Sequence, residues 1–365
     1  MRGAGTSVAV AGPSSGQRRS VAAWAYPGSD EGGALPADDI PDPRPDHHPD
    51  PPRPLLVLAK PSHDAEDREQ VDRVRRALTT AAGGAHVEVR APASDDEYAA
   101  AVASAVEPVP RDVVVLGGDG SVHRLLQELH DQRLLPATVG LVPAGTGNDL
   151  ARSAGIPLEP QDAAPVAATG RPAPRGLLLD DTGGVVVNAV HAGVGAEATA
   201  SAGEVKGVLG KAAYAVGALR AGLTTRGWHL RVVVDGRTVA DGSEPVLMVT
   251  LALGSSVGGG TRVAPTARPD DGLAEVVLAR GTSAIARTSF ARDLRKGRHT
   301  RRRDVTVTRG QEVLVEAVGP QDAFHVSVDG DVQPGRIRRR TWRVEPDAWR
   351  LRVPTDPPAT APSSP

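Results

Sequence analysis

The stretch VVVLGGDGSVHRLL, residues 113–126, decides how this chain of 365 residues folds. An apolar segment typical of a buried strand runs into Gly117-Gly118-Asp119-Gly120, and a segment with the apolar spacing of a helix follows. A loop with so little side chain lets another molecule approach the backbone, and the start of the next helix presents free N–H groups to an anion. The stretch therefore predicts a strand, a phosphate-binding turn and a helix, although a tight turn without a ligand would also explain the glycines.

Strands and helices alternate around this turn. The predicted strands are 54–60, 86–92, 111–118 and 137–145, and the predicted helices are 67–78, 96–106, 122–130 and 148–155. Such alternation is typical of a parallel sheet with helices on its faces, which binds ligands at the carboxyl ends of its strands. We therefore expect an α/β nucleotide domain with a parallel sheet over residues 54–172.

After about residue 172 the pattern changes to short strands, interrupted by one helix-like segment at 210–223. This pattern favours a C-terminal antiparallel β-sandwich over residues 173–353, with a last strand that could return to the first domain. Residues 1–53 and 354–365 are rich in Pro, Gly, Asp and Ser and are expected to be a disordered arm and tail.

Composition excludes several classes of protein. Lys and Arg total 42 against 44 Asp and Glu, so the surface as a whole is not basic and a nucleic-acid partner is not expected. The chain has no cysteine, which rules out disulfides and thiolate metal sites and fits a reducing cytoplasm. No apolar run approaches the ~20 residues of a membrane span. We expect a cytoplasmic protein whose contact with a membrane is peripheral.

A second polar turn, PAGTGNDLAR at 143–152, ends the next predicted strand. Turns after neighbouring parallel strands lie at the same edge of the sheet, so the two loops should meet. Asp149 could be a plain helix cap. Together with Asp119, it would also place two carboxylates where a magnesium ion could bind beside phosphates.

These two loops carry a resemblance. GGDGS followed by PAGTGNDLAR resembles the diacylglycerol kinase catalytic-domain family, which includes bacterial lipid kinases and relatives of sphingosine kinases and shares a superfamily with NAD kinases. The likeness extends over about residues 54–354, through the segments 187–197, 209–220, 258–278, 296–307 and 326–331. It implies an ATP- and Mg-dependent kinase that phosphorylates a hydroxyl of diacylglycerol or a related lipid, with its active site in the cleft between the two domains.

The resemblance also implies roles for individual residues. The ATP phosphates would be held by Gly117, Gly118, Asp119, Gly120, Ser121, Thr146 and Asn148. Magnesium would be bound, partly through water, by Asp119, Asp149 and Asp180. A second, structural magnesium would lie at Asp271 and the backbone carbonyls of Arg268 and Leu273.

Asp329, in the motif VSVDGD, matches the family's general base, and Asp331 stands where the family usually has Glu. On sequence pattern alone, Asp329-Gly330 between alternating residues favours a β-hairpin turn. The resemblance alone favours the catalytic role.

The chain departs from the family in four further places. The first loop is Lys60-Pro61-Ser62-His63 where relatives usually have Asn-Pro-x-Ser-Gly. Ser121 replaces a Thr, His123 replaces an Asn, and His191 lies in a loop that is normally small or apolar. These departures keep two alternatives open: an NAD kinase-like enzyme, and a catalytically impaired regulator that binds nucleotide or lipid.

A basic segment at 286–304 is the last feature of note. It is either a solvated surface or a patch attracted to an anionic membrane at the inner face. The expected partners are thus a lipid alcohol substrate, a membrane surface and possible pairing into a homodimer.

Overall fold

The computed structural model describes residues 53–62, 64–106, 110–193, 227–281 and 283–355. Almost all of the predicted disordered arm and tail, the helix-like segment at 210–223 and His63 lie outside the described residues.

The first part of the fold is a parallel sheet covered by helices, as expected. Its elements are β1 (Leu55–Ala59), α1 (Ala65–Ala81), β2 (Val87–Arg90), α2 (Asp95–Ala103), β3 (Asp112–Gly117), α3 (Asp119–Asp131), β4 (Thr138–Pro143), α4 (Asp149–Ser153) and α5 (Pro160–Thr169). Four strands pair in parallel in the order β2-β1-β3-β4. All six residues of β3 are buried, which explains its unbroken apolar run.

The second part is built from antiparallel strands. Its elements are β5 (Arg171–Asp180), β6 (Val185–Val186), β7 (Ala189–Gly193), β8 (Leu230–Val234), β9 (Arg237–Asp241), β10 (Met248–Ala252), β11 (Ala274–Ala279), α6 (Ala284–Arg295), β12 (Val305–Gly310), β13 (Glu312–Ala317), β14 (Val326–Val328), β15 (Asp331–Val332) and β16 (Arg339–Val353). One sheet has the order β12-β11-β10-β7-β14-β15. Buried residues of this sheet pack with those of β5, β8, β13 and β16 in one core, so the two layers form a sandwich.

The long strand β16 links the two parts. Its C-terminal end pairs in parallel with β4, at Arg350 and Leu351, and its N-terminal end pairs with β13. Trp349 lies in the core of the α/β part, whereas Trp342 lies in the core of the sandwich. A register shift between Glu345 and Trp349 separates these two stretches. The predicted domain boundary at 172/173 falls inside β5, which pairs along most of β16.

None of the helices within the described ranges is long and apolar enough to cross a membrane.

Candidate active site

The two glycine-rich loops touch backbone to backbone at the carboxyl ends of β3 and β4. A Cβ added to Gly118 would lie 2.9 Å from Cα of Gly145, and one added to Gly145 would lie 2.6 Å from Cα of Gly118. The side chain of Asn148 holds the second loop in shape, because it accepts from N of Gly145 (3.1 Å) and donates to O of Gly145 (2.9 Å). Only glycine at 118 and 145 permits this approach, and Asn148 supports it from within the loop.

The N-terminus of α3 opens between these loops without a side-chain cap. A Cβ added to Gly120 would meet nothing within 4 Å, so the space in front of this first turn is open. Ser121 turns inward instead: its buried Oγ has no hydrogen-bond partner in the described part of the chain and lies 2.4 Å from where a Cβ on Gly117 would be. Gly117 therefore makes room for Ser121, and Gly120 faces the open site.

Two cavities adjoin this turn. One of about 530 Å³ is lined by Lys60, Pro61 and Ser62 after β1, and by Gly117 and Gly118. The other, of about 230 Å³, is also lined by Lys60, together with Gly120, Ser121, Arg124 and Asp331. The turn after β1, the N-terminus of α3 and Asp331, the first residue of β15, thus border one cavity.

Asp119 and Asp149 are joined through backbone amides. Asp119 accepts hydrogen bonds from N of Asp149 and N of Leu150, each at 3.0 Å, so it caps the short helix α4. Burial raises the pKa of the Asp119 carboxyl; the two N–H bonds oppose this, and the carboxylates of Asp149 and Asp329 add to it. Asp119 therefore links the loop after β3 to the N-terminus of α4, where Asp149 lies.

Asp149 does more than begin a helix. Its carboxylate accepts from the Ser256 hydroxyl at 3.1 Å and from the backbone N–H groups of Gly259 and Gly260 at 2.8 Å each. Asp149 therefore ties the second loop to a segment of the sandwich between β10 and β11.

Thr146, exposed at the tip of the same loop, makes no hydrogen bond among the described residues, so its hydroxyl is open to a ligand.

Asp180 is held differently from Asp119 and Asp149. Its carboxylate contacts Arg340 at 2.6 Å and accepts from Thr182 and Gly184 in the turn after β5. Burial raises its pKa, but these hydrogen bonds and the charge of Arg340 outweigh burial, so the pKa of Asp180 is lowered. Within the described residues, no three His, Cys, Asp or Glu side chains form a group able to hold a metal. The water-mediated network through Asp180 stays a prediction.

The predicted structural magnesium site already contains an arginine. The carboxylate of Asp271 is paired with Arg309 and accepts from N of Leu273 at 3.1 Å. Because Arg309 balances the charge of Asp271, magnesium coordinated here with the carbonyls of Arg268 and Leu273 would have to displace it. This site also stays a prediction.

Asp329 occupies a hairpin turn and also points its carboxylate into the protein. Asp329 and Gly330 have φ angles of +49° and +96°, so the hairpin favoured by the sequence pattern is present. The Asp329 side chain is only 3% exposed. Its oxygens accept from three successive backbone N–H groups, at 2.8 Å from Val187, 2.8 Å from Asn188 and 3.0 Å from Ala189.

These three amides lie in the largely apolar run Val185–Val190, whose composition is typical of one short strand. The structure breaks it into β6 and β7, because residues 187–189 turn their N–H groups toward Asp329 instead of forming a continuous ladder.

His123 is the fourth group that hydrogen-bonds to the Asp329 carboxylate. Its Nδ1 lies 2.8 Å from Oδ2 of Asp329, and its side chain is 25% exposed. Burial lowers the pKa of His123, but the hydrogen bond and charge of Asp329, with the charge of Asp331, outweigh burial and raise it. The sequence marks His123 only as a departure from its relatives, and 206 residues separate it from Asp329.

His191, the other unusual histidine, lies on β7 with Nδ1 2.8 Å from Oγ1 of Thr250. Burial lowers the pKa of His191 to about 4, against the opposing charge of Asp329. Its imidazole is therefore neutral at neutral pH.

Comparison with known proteins identifies the family. The family model for the diacylglycerol kinase catalytic domain matches residues 54–177, and that for the YegS C-terminal NAD kinase β-sandwich-like domain matches residues 188–353. A protein of Pseudomonas aeruginosa (strain UCBPP-PA14) named "Probable lipid kinase YegS-like" is 31% identical over 310 residues, which cover 83% of this chain and 95% of the relative. This chain belongs to the diacylglycerol kinase family.

Other relatives agree with this placement. A diacylglycerol kinase of Mycobacterium tuberculosis (strain H37Rv) is 32% identical over 238 residues, covering 63% of this chain and 73% of the relative. A crystal structure of a diacylglycerol kinase from Bacillus anthracis has the same fold, with a TM-score of 0.65 and 17% identity over 83% of this chain and 98% of that one. The protein is a kinase of the lipid kinase type, and the α/β-plus-sandwich fold expected from the sequence is confirmed.

Proposed function

We propose that this lipid kinase transfers the γ-phosphoryl group of ATP, in a magnesium-dependent reaction, to a hydroxyl of diacylglycerol or a related lipid. The observation that carries the proposal is the meeting of the GGDGS loop and the Asp329 hairpin: Gly120, Ser121 and Asp331 line one cavity, and His123 joins the loop's helix to Asp329. A cavity beside an open helix N-terminus and a polar centre at one place suit phosphoryl transfer.

The residues present fit nucleotide phosphates. The uncapped N-terminus of α3 offers backbone N–H groups, and Gly120 leaves the approach free of side chain. The loop shape that permits this approach depends on Gly117, Gly118 and Asn148. The exposed Thr146 would add its hydroxyl as a further ligand of the phosphates. Lys60, which borders both cavities, would supply a positive charge.

The residues also fit magnesium beside the phosphates. A Cβ on Gly147 would lie 3.3 Å from Oδ2 of Asp119 and 3.7 Å from Oδ2 of Asp149, so these two carboxylates flank one backbone position. Carboxylate oxygens are ligands that magnesium prefers, usually with several waters retained. Bound magnesium would neutralise the phosphate charge that builds up during transfer.

Asp180 enters the proposed network through water only, since Arg340 occupies its carboxylate.

The proposed membrane contact is the exposed part of the basic segment. Two of its arginines are structural: Arg287 is buried, and Arg302 pairs with Asp293 and Asp304. The exposed basic residues are Arg292, Arg295, Lys296, Arg298, Arg301 and Arg303. Each basic residue near an anionic membrane contributes about 1 kcal/mol. Ile285, 85% exposed at the start of α6, adds an apolar contact to this surface.

The test is incubation of the purified protein with labelled ATP, magnesium and mixed micelles containing diacylglycerol, followed by separation of the lipids. We expect a phosphorylated lipid, and we expect the Asp329→Ala variant to make none. Parallel reactions offer NAD in place of lipid. Labelled NADP without labelled lipid would establish the NAD kinase-like alternative. ATP binding without transfer to either acceptor would exclude diacylglycerol and NAD as substrates and leave an untested lipid or a regulator.

A further inference from the structure

The carboxylate of Asp329 has no free position for a substrate hydroxyl. A carboxylate offers about four acceptor sites. Three backbone N–H groups and Nδ1 of His123 already take up these sites, at 2.8 to 3.0 Å. With its side chain only 3% exposed, Asp329 is held as a fixed, buried charge. A proton acceptor needs a lone pair directed at the hydroxyl, so another atom must meet the substrate.

His123 presents such an atom. Its Nδ1 is used by Asp329, whereas its Nε2 has no hydrogen-bond partner in the part of the chain that the structure describes. The ring is a quarter exposed and lies on α3 one turn after Asp119, the first residue of the helix whose N-terminus faces the open site. A carboxylate on one imidazole nitrogen leaves the other free for a hydroxyl, the arrangement by which hydrolytic triads activate serine.

We propose that Nε2 of His123 is the proton acceptor for the lipid hydroxyl, and that Asp329 is the residue that positions and charges it. This inference rests on the proposed function and refines it. The hydroxyl oxygen forms a bond to the γ-phosphorus as the bond from that phosphorus to the β–γ bridging oxygen breaks, releasing ADP. The hydroxyl proton passes to Nε2, and the imidazolium later returns it to solvent.

The charges around His123 suit this role. Asp329 and Asp331 of the hairpin both raise the pKa of the imidazole against the effect of burial. The neighbouring Arg124 is paired with Asp95 of α2, and Asp180 of the adjoining strand is paired with Arg340. The two hairpin carboxylates therefore stabilise the imidazolium that forms during transfer.

The first test is His123→Asn, because the asparagine amide can still donate to Asp329 while the position of Nε2 is lost. We expect kcat with diacylglycerol micelles to fall about 10²–10⁴-fold, with little change in the KM for ATP. In the wild type, kcat should rise with pH as His123 deprotonates, and this rise should be absent from the pH–rate profile of the variant. His130→Asn, on the last turn of the same helix, is the matched control and should keep both the wild-type kcat and its rise with pH.

The second test is rescue of His123→Ala by imidazole added to the assay. The variant leaves a space where the imidazole ring was, and added imidazole should restore a measurable part of kcat in proportion to its neutral form. A variant that misfolds would be seen by circular dichroism, and His123→Asn then carries the test alone.

The outcomes distinguish a failure of the proposed role of His123 from a failure of the proposed function. An active wild type whose pH limb and turnover survive in His123→Asn would show that Asp329 acts without His123 and would overturn the inference alone. A wild type that phosphorylates no lipid would overturn the proposed function, and this inference with it.

Discussion

Two glycines in the phosphate loops predict opposite effects on stability. Replacing Gly145 by Ala would place a Cβ 2.6 Å from Cα of Gly118 and 2.9 Å from Oδ1 of Asn148. Because one neighbour is backbone, the loops must separate, and such overpacking costs about 1–3 kcal/mol of unfolding free energy. In contrast, Gly120 lies in the first turn of α3 with nothing within 4 Å of an added Cβ. Gly120→Ala should therefore stabilise the helix by up to about 0.5–1 kcal/mol.

Both variants should nevertheless bind ATP less well. In Gly120→Ala the new methyl stands where a phosphate is proposed to approach, and a similar steric cost of about 1–3 kcal/mol corresponds to about 5- to 150-fold in Kd. Thermal unfolding and calorimetric titration with ATP and magnesium measure the two quantities on the same samples. If Gly120→Ala is stable and binds ATP as the wild type does, the phosphates do not lie at this turn. If Gly145→Ala unfolds at the wild-type temperature, the contact between the loops is wrong.

Two further predictions concern charge. Arg302→Ala should lower the unfolding free energy by about 1.5–3 kcal/mol, since it removes hydrogen bonds from a cation to Asp293 and Asp304. Arg301→Ala should change the unfolding free energy by less than about 0.5 kcal/mol but weaken binding to anionic vesicles in a sedimentation assay. Equal losses of unfolding free energy in chemical denaturation would contradict the structural role of Arg302. Because the pKa of His123 is raised in the folded protein, its pair with Asp329 should stabilise the fold below about pH 6.5, and this contribution should disappear as pH rises through the folded pKa. Denaturation of the wild type and His123→Asn across this range tests the sign, and a difference that grows with pH would refute it.

The sequence predicted the elements whose pattern is apolar and periodic, and missed those whose pattern is not. α5 escaped notice because its buried face consists of alanines, which pack so closely on β4 that a Cβ on Gly140 would lie 2.4 Å from O of Ala167. The last strand, β16, continues past Pro346 to Val353 through a register shift. Proline and the positive φ of Asp347 disguise this continuation.

The sequence predicted the loops of the site but not the hydrogen-bond and ion-pair partners of its acidic side chains. The contact of the two glycine loops follows from strand order, which local sequence indicates. The partners of the acids come from distant segments: Arg340 for Asp180, Arg309 for Asp271 and His123 for Asp329. No spacing rule joins such residues, because the fold alone brings them together. For the same reason, the basic segment did not reveal that Arg302 is internal to the fold.

The acids of the site also hold the two parts of the fold against each other. Asp149, from the α/β part, binds the backbone of Gly259 and Gly260 in the sandwich, and Asp329, from the sandwich, binds His123 of α3. Removing the Asp329 carboxylate leaves the N–H groups of the buried Val187 and Ala189 without this partner, at about 1–3 kcal/mol each, and disturbs the site and the interface together. Loss of activity in such a variant cannot by itself separate a chemical role from a structural one. His123→Asn can make the separation, because it keeps the three backbone bonds to Asp329 and removes Nε2, the proposed proton acceptor.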